Sequence, residues 1–146
     1  METKLLHGVP LFEPLSEQEI QAVAEKMQIR QVPEDTIVLK EGEHSDSLYV
    51  VLSGKVKVFL TDEQGEEVTL NVLGEGEYFG EVSLFDSGDR SASVITLDSS
   101  NFGVLNREDV LSLIANHPEM LRVIMTGTTS RIRDLSNNVR SLAANW

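Results

Sequence analysis

The sequence predicts a mainly β domain, a sandwich or jelly roll, with helices at both ends. Two observations carry that expectation. Between residues 28 and 105, short runs of two-residue periodicity recur at about 8–12-residue spacing with glycine turns between them, which argues against a parallel sheet. On either side of that region the apolar residues switch to helical spacing. At 146 residues the chain is one domain's worth, long enough to bury a core without staples.

Residues 1–14 are short and mixed, and Pro10 and Pro14 discourage a continuous helix there. Ser16-Glu17-Gln18-Glu19 is a capping box, and Leu15, Ile20, Val23, Ala24 and Met27 form a helical stripe, so a helix is expected over 16–27. From Gln28 the period falls to two. Ile29, Gln31 and residues 36–40 alternate or run β-branched around Pro33-Glu34-Asp35. Strands are expected at 48–53, 55–60 and 67–73, with turns at Ser53-Gly54 and Asp62-Glu63-Gln64-Gly65. Lys55-Val56-Lys57-Val58-Phe59 alternates charged and apolar, as a strand with one wet face should. Gly74-Glu75-Gly76-Glu77 turns into Tyr78-Phe79, and 91–97 and 101–105 read as two more strands. A helix follows from Asn106 to about Asn116, ended by His117-Pro118.

The last segment carries a second pattern. Leu121, Met125, Thr128, Ile132, Leu135, Val139, Leu142 and Trp146 are spaced 4, 3, 4, 3, 4, 3, 4, an a/d seam of nearly four heptads. Gly127 weakens the helix by about 1 kcal/mol relative to alanine, and Thr128 is a poor seam residue. At 1.5 Å per residue, a helix over 118–146 reaches ~40 Å, longer than a small roll, so pairing with a second copy is expected. Packing along its own roll is the alternative. The division is residues 1–117, the roll with its N-terminal and hinge helices, and 118–146, the long helix.

Composition narrows the function. The chain has no cysteine, which removes disulfides, iron–sulfur clusters and thiolate catalysis and leaves the cytoplasm as the default compartment. No run approaches the roughly 18 apolar residues of a membrane span, and the N-terminus lacks a signal-peptide core. A net charge of −12 and a pI near 4.5 repel nucleic acid, so neither nucleic acid nor membrane is expected as a direct partner. His7, His44 and His117 stand at no metal-ligand spacing, so the paired histidines of a cupin-type enzyme are missing. Gly74, Gly76 and Gly80 have the wrong spacing for a dinucleotide fingerprint, and no Gly-x-Ser-x-Gly or P-loop occurs. A binding protein without cofactor or metal is expected, not an enzyme.

The stretch that can hold a ligand is FGEVSLFDSGDRSASV, residues 79–94. Gly80 lets backbone approach a ligand with no Cβ in the way. Residues 81–85 can form one helical turn, whose free N–H groups suit an anion. Arg90 offers a planar, permanently charged fork for phosphate oxygens, its alternative being a surface arginine paired with Asp86 or Asp89. Glu81, an acceptor only, suits sugar hydroxyls, its alternative being a helix-dipole cap.

These residues resemble the phosphate-binding cassette of cyclic nucleotide-binding domains, the family found in bacterial catabolite activators and in regulatory subunits of cAMP-dependent protein kinases. The family pattern is Phe-Gly-Glu-Leu-Ala-Leu, a short loop, then Arg-(Ala/Ser/Thr)-Ala-(Thr/Ser)-Val. LYVVLSGKVKVF (48–59) and DEQGEEVTLNVLGEGEYFG (62–80) resemble the family's preceding hairpins, so the likeness spans most of residues 15–140. The resemblance implies an eight-stranded antiparallel β-roll with a short N-terminal and a long C-terminal helix. It also implies a cyclic mononucleotide, cAMP favoured over cGMP, as the ligand.

By the same resemblance, phosphate would meet Arg90, Ser91 and the N–H groups of residues 82–84 and 92, thus Val82, Ser83 and Ala92, with Gly80 alongside. Ribose would meet Glu81. Val58, Leu70 and Leu73 would wall the base, or serve as plain core. Ser136 and Asn137 align near the family's purine contact on the long helix, while Leu135 replaces the usual hydroxyl residue. Arg131 would approach the ligand or Glu81, or stay an exposed helical arginine. Asp89 is expected to pull on Arg90 in the empty site. Two other roles fit the resemblance: the sensor half of a catabolite-activator-like transcription regulator, or a dimerising scaffold that binds no nucleotide.

Overall fold

Alternation and its interruptions decide the sheets. A computed structural model describes residues 3–86 and 88–144, with side chains for all of these except 3, 134, 135 and 138–144. Eight strands are present: β1 (Gln28–Val32), β2 (Ile37–Leu39), β3 (Leu48–Ser53), β4 (Lys55–Thr61), β5 (Glu67–Gly74), β6 (Tyr78–Phe79), β7 (Ser93–Thr96) and β8 (Ser100–Leu105). They form two four-stranded sheets in the orders β1-β8-β3-β6 and β2-β7-β4-β5, with every pair antiparallel. This is the β-roll that the sequence predicts, with two strand starts moved: β7 begins at Ser93 and β8 at Ser100.

β3 shows why a strand can lose its alternation. Leu48, Val50 and Leu52 face a helical layer, while Tyr49 and Val51 face the other sheet. Both faces are buried, so the strand reads as a continuous apolar run. Between the sheets, Tyr49 stacks on Phe79 at 5.1 Å and Phe102 meets Phe79 edge-on at 5.5 Å. Val51, Val56, Leu73 and Val94 complete that core.

The helical layer is α1 (Glu17–Lys26), α2 (Arg107–Asn116) and α3 (Pro118–Ala144). The capping box opens α1 in both directions: Ser16 N–H donates to Glu19 Oε1 at 2.8 Å, and Glu19 N–H to Ser16 Oγ at 3.3 Å. Asn106 caps α2 by accepting the Asp109 N–H. His117 joins α2 to α3, and its ring pairs with Glu19 of α1.

Residues 3–14 are more ordered than their prolines suggest. Thr3–Gly8 and Pro10–Phe12 are 3₁₀ turns that bury Leu6, Leu11 and Phe12 against the same layer. Pro10 opens the second turn, where its missing N–H would have had no partner anyway.

α3 carries two neighbouring stripes. Met120 and Ile124 bury into the helical core, and Gly127 and Arg131 continue that line over Tyr78. On the other stripe Met125 is 60 % exposed and Ile132 59 %, so the described part of the a/d seam is only partly covered by the roll. The seam residues Leu135, Val139, Leu142 and Trp146 lie outside the described side chains.

Candidate ligand-binding site

β6 delivers the chain to Gly80 at φ +89°, a conformation that disfavours any residue with a Cβ. Space forbids one as well, since a Cβ there would sit 2.8 Å from Arg90 Nη1 and 2.9 Å from the Ser47 carbonyl oxygen. Glu81 then caps a short 3₁₀ turn, Val82–Leu84. The Leu84 N–H already donates to the Glu81 carbonyl, so it is not free for an anion as the resemblance implies. The N–H groups of Val82 and Ser83 have no partner among the described residues. Arg107 Nε, from α2, donates to the Leu84 carbonyl at 2.9 Å and ties the hinge helix to this turn.

Arg90 is only 4 % exposed, so it is no surface arginine. Nε donates to Ser45 Oγ at 2.7 Å, Nη1 to the Gly80 carbonyl at 3.2 Å and Nη2 to the Ser47 carbonyl at 2.8 Å. A guanidinium has five N–H donors, so two remain for a ligand. Burial pushes the Arg90 pKa down from its ordinary value, opposed by Tyr49 and by the carboxylates of Asp46, Glu81 and Asp86. Asp89 does not pull on Arg90: its carboxylate pairs instead with His44 at 3.2 Å, across an isolated β-bridge. Asp86 is occupied by the Gly88 N–H.

Glu81 is 5 % exposed. Its Oε1 accepts from Arg131 Nη1 at 2.5 Å, and Arg131 Nη2 donates to the Tyr78 carbonyl at 2.7 Å. Arg131 also lies over the Tyr78 ring at 5.2 Å, so it is no free helical arginine. Burial, helped by Glu81 and opposed by Arg131, pushes the Tyr78 hydroxyl up to about 12. Glu81 Oε2 is buried with no hydrogen-bond partner among the described residues. Such an atom costs free energy unless something fills its need.

Glu81 and Arg90 line one cavity of about 200 Å³, far more than the ~10–15 Å³ that a single water needs. Gly80, Val82, Ser83, Ser91, Ala92 and Arg131 line it with them. Val58, Leu70 and Leu73 form the apolar wall. A β-bulge shapes that wall: Val58 pairs with Asn71 and Phe59 with Thr69, leaving Leu70 as the extra residue. Leu70 and Asn71 consequently both line the cavity.

Ser136 and Asn137 are exposed and are not among the lining residues. Helix α3 contributes Thr128 and Ile132 instead, which the sequence marks only as seam positions. Leu39, Phe79 and Val94 complete the apolar lining. The residues missed altogether are Ser45 and Ser47, which hold Arg90 from a loop before β3. No local motif marks them.

Fold and cavity define a class: jelly-roll domains that enclose a small-molecule site between a sheet and a C-terminal helix. The chain belongs to the cyclic nucleotide-binding domain family, whose model matches residues 29–117. It is 37 % identical over 129 residues to the cyclic AMP receptor protein of Thermus thermophilus, covering 88 % of this chain and 60 % of that one. It is 31 % identical over 139 residues to a CRP-like cAMP-activated global transcriptional regulator of Mycobacterium tuberculosis, covering 95 % and 62 %. The chain thus spans about six tenths of the length of these curated relatives.

Solved structures agree. The crystal structure of Thermus thermophilus catabolite activator protein superposes with a TM-score of 0.79 at 36 % identity, over 92 % of this chain and 63 % of that one. The regulatory domain of Toxoplasma gondii PKA, crystallised with cAMP, gives 0.65 at 29 % identity, over 73 % and 40 %.

Proposed function

We propose that this chain is a regulatory module that binds a cyclic mononucleotide, cAMP in preference to cGMP, and passes the event to its C-terminal helix. One observation carries the reading. Glu81, whose buried Oε2 has no partner among the described residues, and Arg90, a buried guanidinium with two donors unused among them, line the same cavity. A cyclic nucleotide has a ribose hydroxyl to donate to the first and an anionic phosphate to accept from the second. Ser91 and the free N–H groups of Val82 and Ser83 would add to the phosphate contacts, and Val58, Leu70 and Leu73 would cover the base. The preference for cAMP is supported by the names of the relatives, which are cAMP receptors and cAMP-activated regulators. The module is a binder, not a catalyst, and its output comes from whatever its helix meets.

Coupling to the helix is supported by Arg131, which reaches from α3 to Glu81. Ligand can shift that helix only by as much as its affinity differs between the two arrangements. The exposed Met125 and Ile132 favour a second copy as the helix's partner.

Titration calorimetry with cAMP, cGMP and adenosine tests the reading. The parent should bind cAMP more tightly than cGMP, and adenosine far more weakly than either. Arg90→Ala should weaken cAMP by about 100-fold or more, the scale of a lost charge-assisted contact. A parent that takes adenosine as tightly as cAMP would remove the phosphate site from the account.

A further inference from the structure

Two of the three acceptors that hold the Arg90 guanidinium come from outside the cassette. Arg90 N–H donates to the Glu43 carbonyl at 2.8 Å, and its carbonyl accepts the Gly42 N–H at 2.9 Å. The loop then passes back along the cassette, where Ser45 N–H meets the Gly88 carbonyl at 2.8 Å. From there it sends one side chain to the guanidinium: Ser45 Oγ accepts from Nε at 2.7 Å. The other two acceptors, at Gly80 and Ser47, are backbone carbonyls, supplied by no side chain.

We infer that Ser45 is a positioning residue for phosphate recognition: its hydroxyl fixes the rotation of the Arg90 fork, so that the two unused N–H groups face the cavity. This rests on the proposed nucleotide site. Without the hydroxyl, Nε–H is a buried donor with nothing to meet. The carboxylates of Asp46, Glu81 and Asp86, which already act on the guanidinium, are then the acceptors it can turn toward. Turning toward any of them swings the fork off the phosphate. Threonine keeps the oxygen at the same branch point and should keep the aim, whereas alanine should not.

The test is calorimetry of the parent, Ser45→Ala and Ser45→Thr with cAMP and with its two phosphorothioate diastereomers. These place sulfur at one or the other exocyclic position and so report which oxygen the fork grips. Ser45→Ala should weaken cAMP by about tenfold, the scale of one hydrogen bond to a charged group. It should also collapse the parent's preference between the diastereomers, while Ser45→Thr restores both. A general loss of stability would lower affinity but leave the diastereomer ratio alone, and thermal melts of all three proteins separate that case. Ser45→Ala binding cAMP within twofold of the parent, or weaker binding with an unchanged ratio, overturns the inference and leaves the nucleotide site standing. A parent that binds no cyclic nucleotide removes both.

Discussion

Arg131 Nη1 on α3 donates to Glu81 Oε1 in the cassette, so the long helix holds one oxygen of a cavity-lining carboxylate whose other oxygen is buried with no partner among the described residues. The Glu81 side chain is 7 % exposed and that of Arg131 26 %, which makes this pair worth more than a surface ion pair. Arg131→Ala strands a buried carboxylate and should cost about 2 kcal/mol of unfolding free energy. In the Glu81→Gln background the same change should cost less, leaving a coupling of about 1 kcal/mol in a double-mutant cycle by urea denaturation. Strict additivity would mean that helix and cassette are not energetically joined through these residues.

Gly127 looks, in sequence, like a weak point of a helical seam. Its place in the structure reverses that expectation. A Cβ at Gly127 would stand 2.8 Å from Tyr78 Oη, and the Tyr78 ring is fixed beneath Arg131. Helix propensity alone would make Gly127→Ala stabilising by about 1 kcal/mol. Overpacking against a held aromatic costs roughly 1–3 kcal/mol, so a net loss is expected. Tyr78→Phe removes the obstructing oxygen, and in that background Gly127→Ala should turn neutral or stabilising by thermal melt. A stabilising effect in the parent itself would show that α3 slides freely over Tyr78.

Why some of this is legible from the chain and some is not has a physical basis. β4 begins by alternating exposed Lys55 with buried Val56, and α1 announces itself by Ser16 and Glu19 because a cap is a local exchange of hydrogen bonds. The cassette is contiguous, so Glu81 and Arg90 stand out together. Ser47 contributes a carbonyl oxygen, which residue identity does not encode, and Ser45 is 45 residues from its partner. The 3₁₀ turns at Thr3–Gly8 and Pro10–Phe12 are too short to show a period, though Phe12 is fully buried. Asp89 sits beside Arg90 in sequence but on a bridge facing His44 in space, where the backbone turns it away.

Glu19 sets a pH dependence whose sign is fixed. Its carboxyl is held below the ordinary 4.5 first by the Ser16 backbone N–H, then by the Ser16 hydroxyl, with His117 adding less. A depressed folded-state pKa gives stability that is present above about pH 4.5 and is lost as pH falls through the folded value. The parent should therefore be more stable than Glu19→Gln near pH 6, and that advantage should shrink as pH falls below about 4.5. Urea unfolding along that pH series checks it. An advantage that does not shrink as pH falls would assign it to packing, not to the carboxylate.

Met125 decides whether the outward stripe of α3 is an interface. It is 60 % exposed, lines no part of the ligand cavity and leaves the helix's own anchors, Met120 and Ile124, untouched. A thioether in that position fits an a/d seam, whereas a carboxylate opposite its own copy would be both desolvated and repelled. Sedimentation of the parent at ~10 μM should give a dimer, and Met125→Glu should shift it to monomer by at least tenfold in dissociation constant. Helicity and cAMP affinity per chain, measured under the monomeric condition, should stay close to the parent's, because Met125 itself belongs to neither core nor cavity. A parent that sediments as a monomer even at ~100 μM would show that the exposed stripe is covered by something other than a second copy.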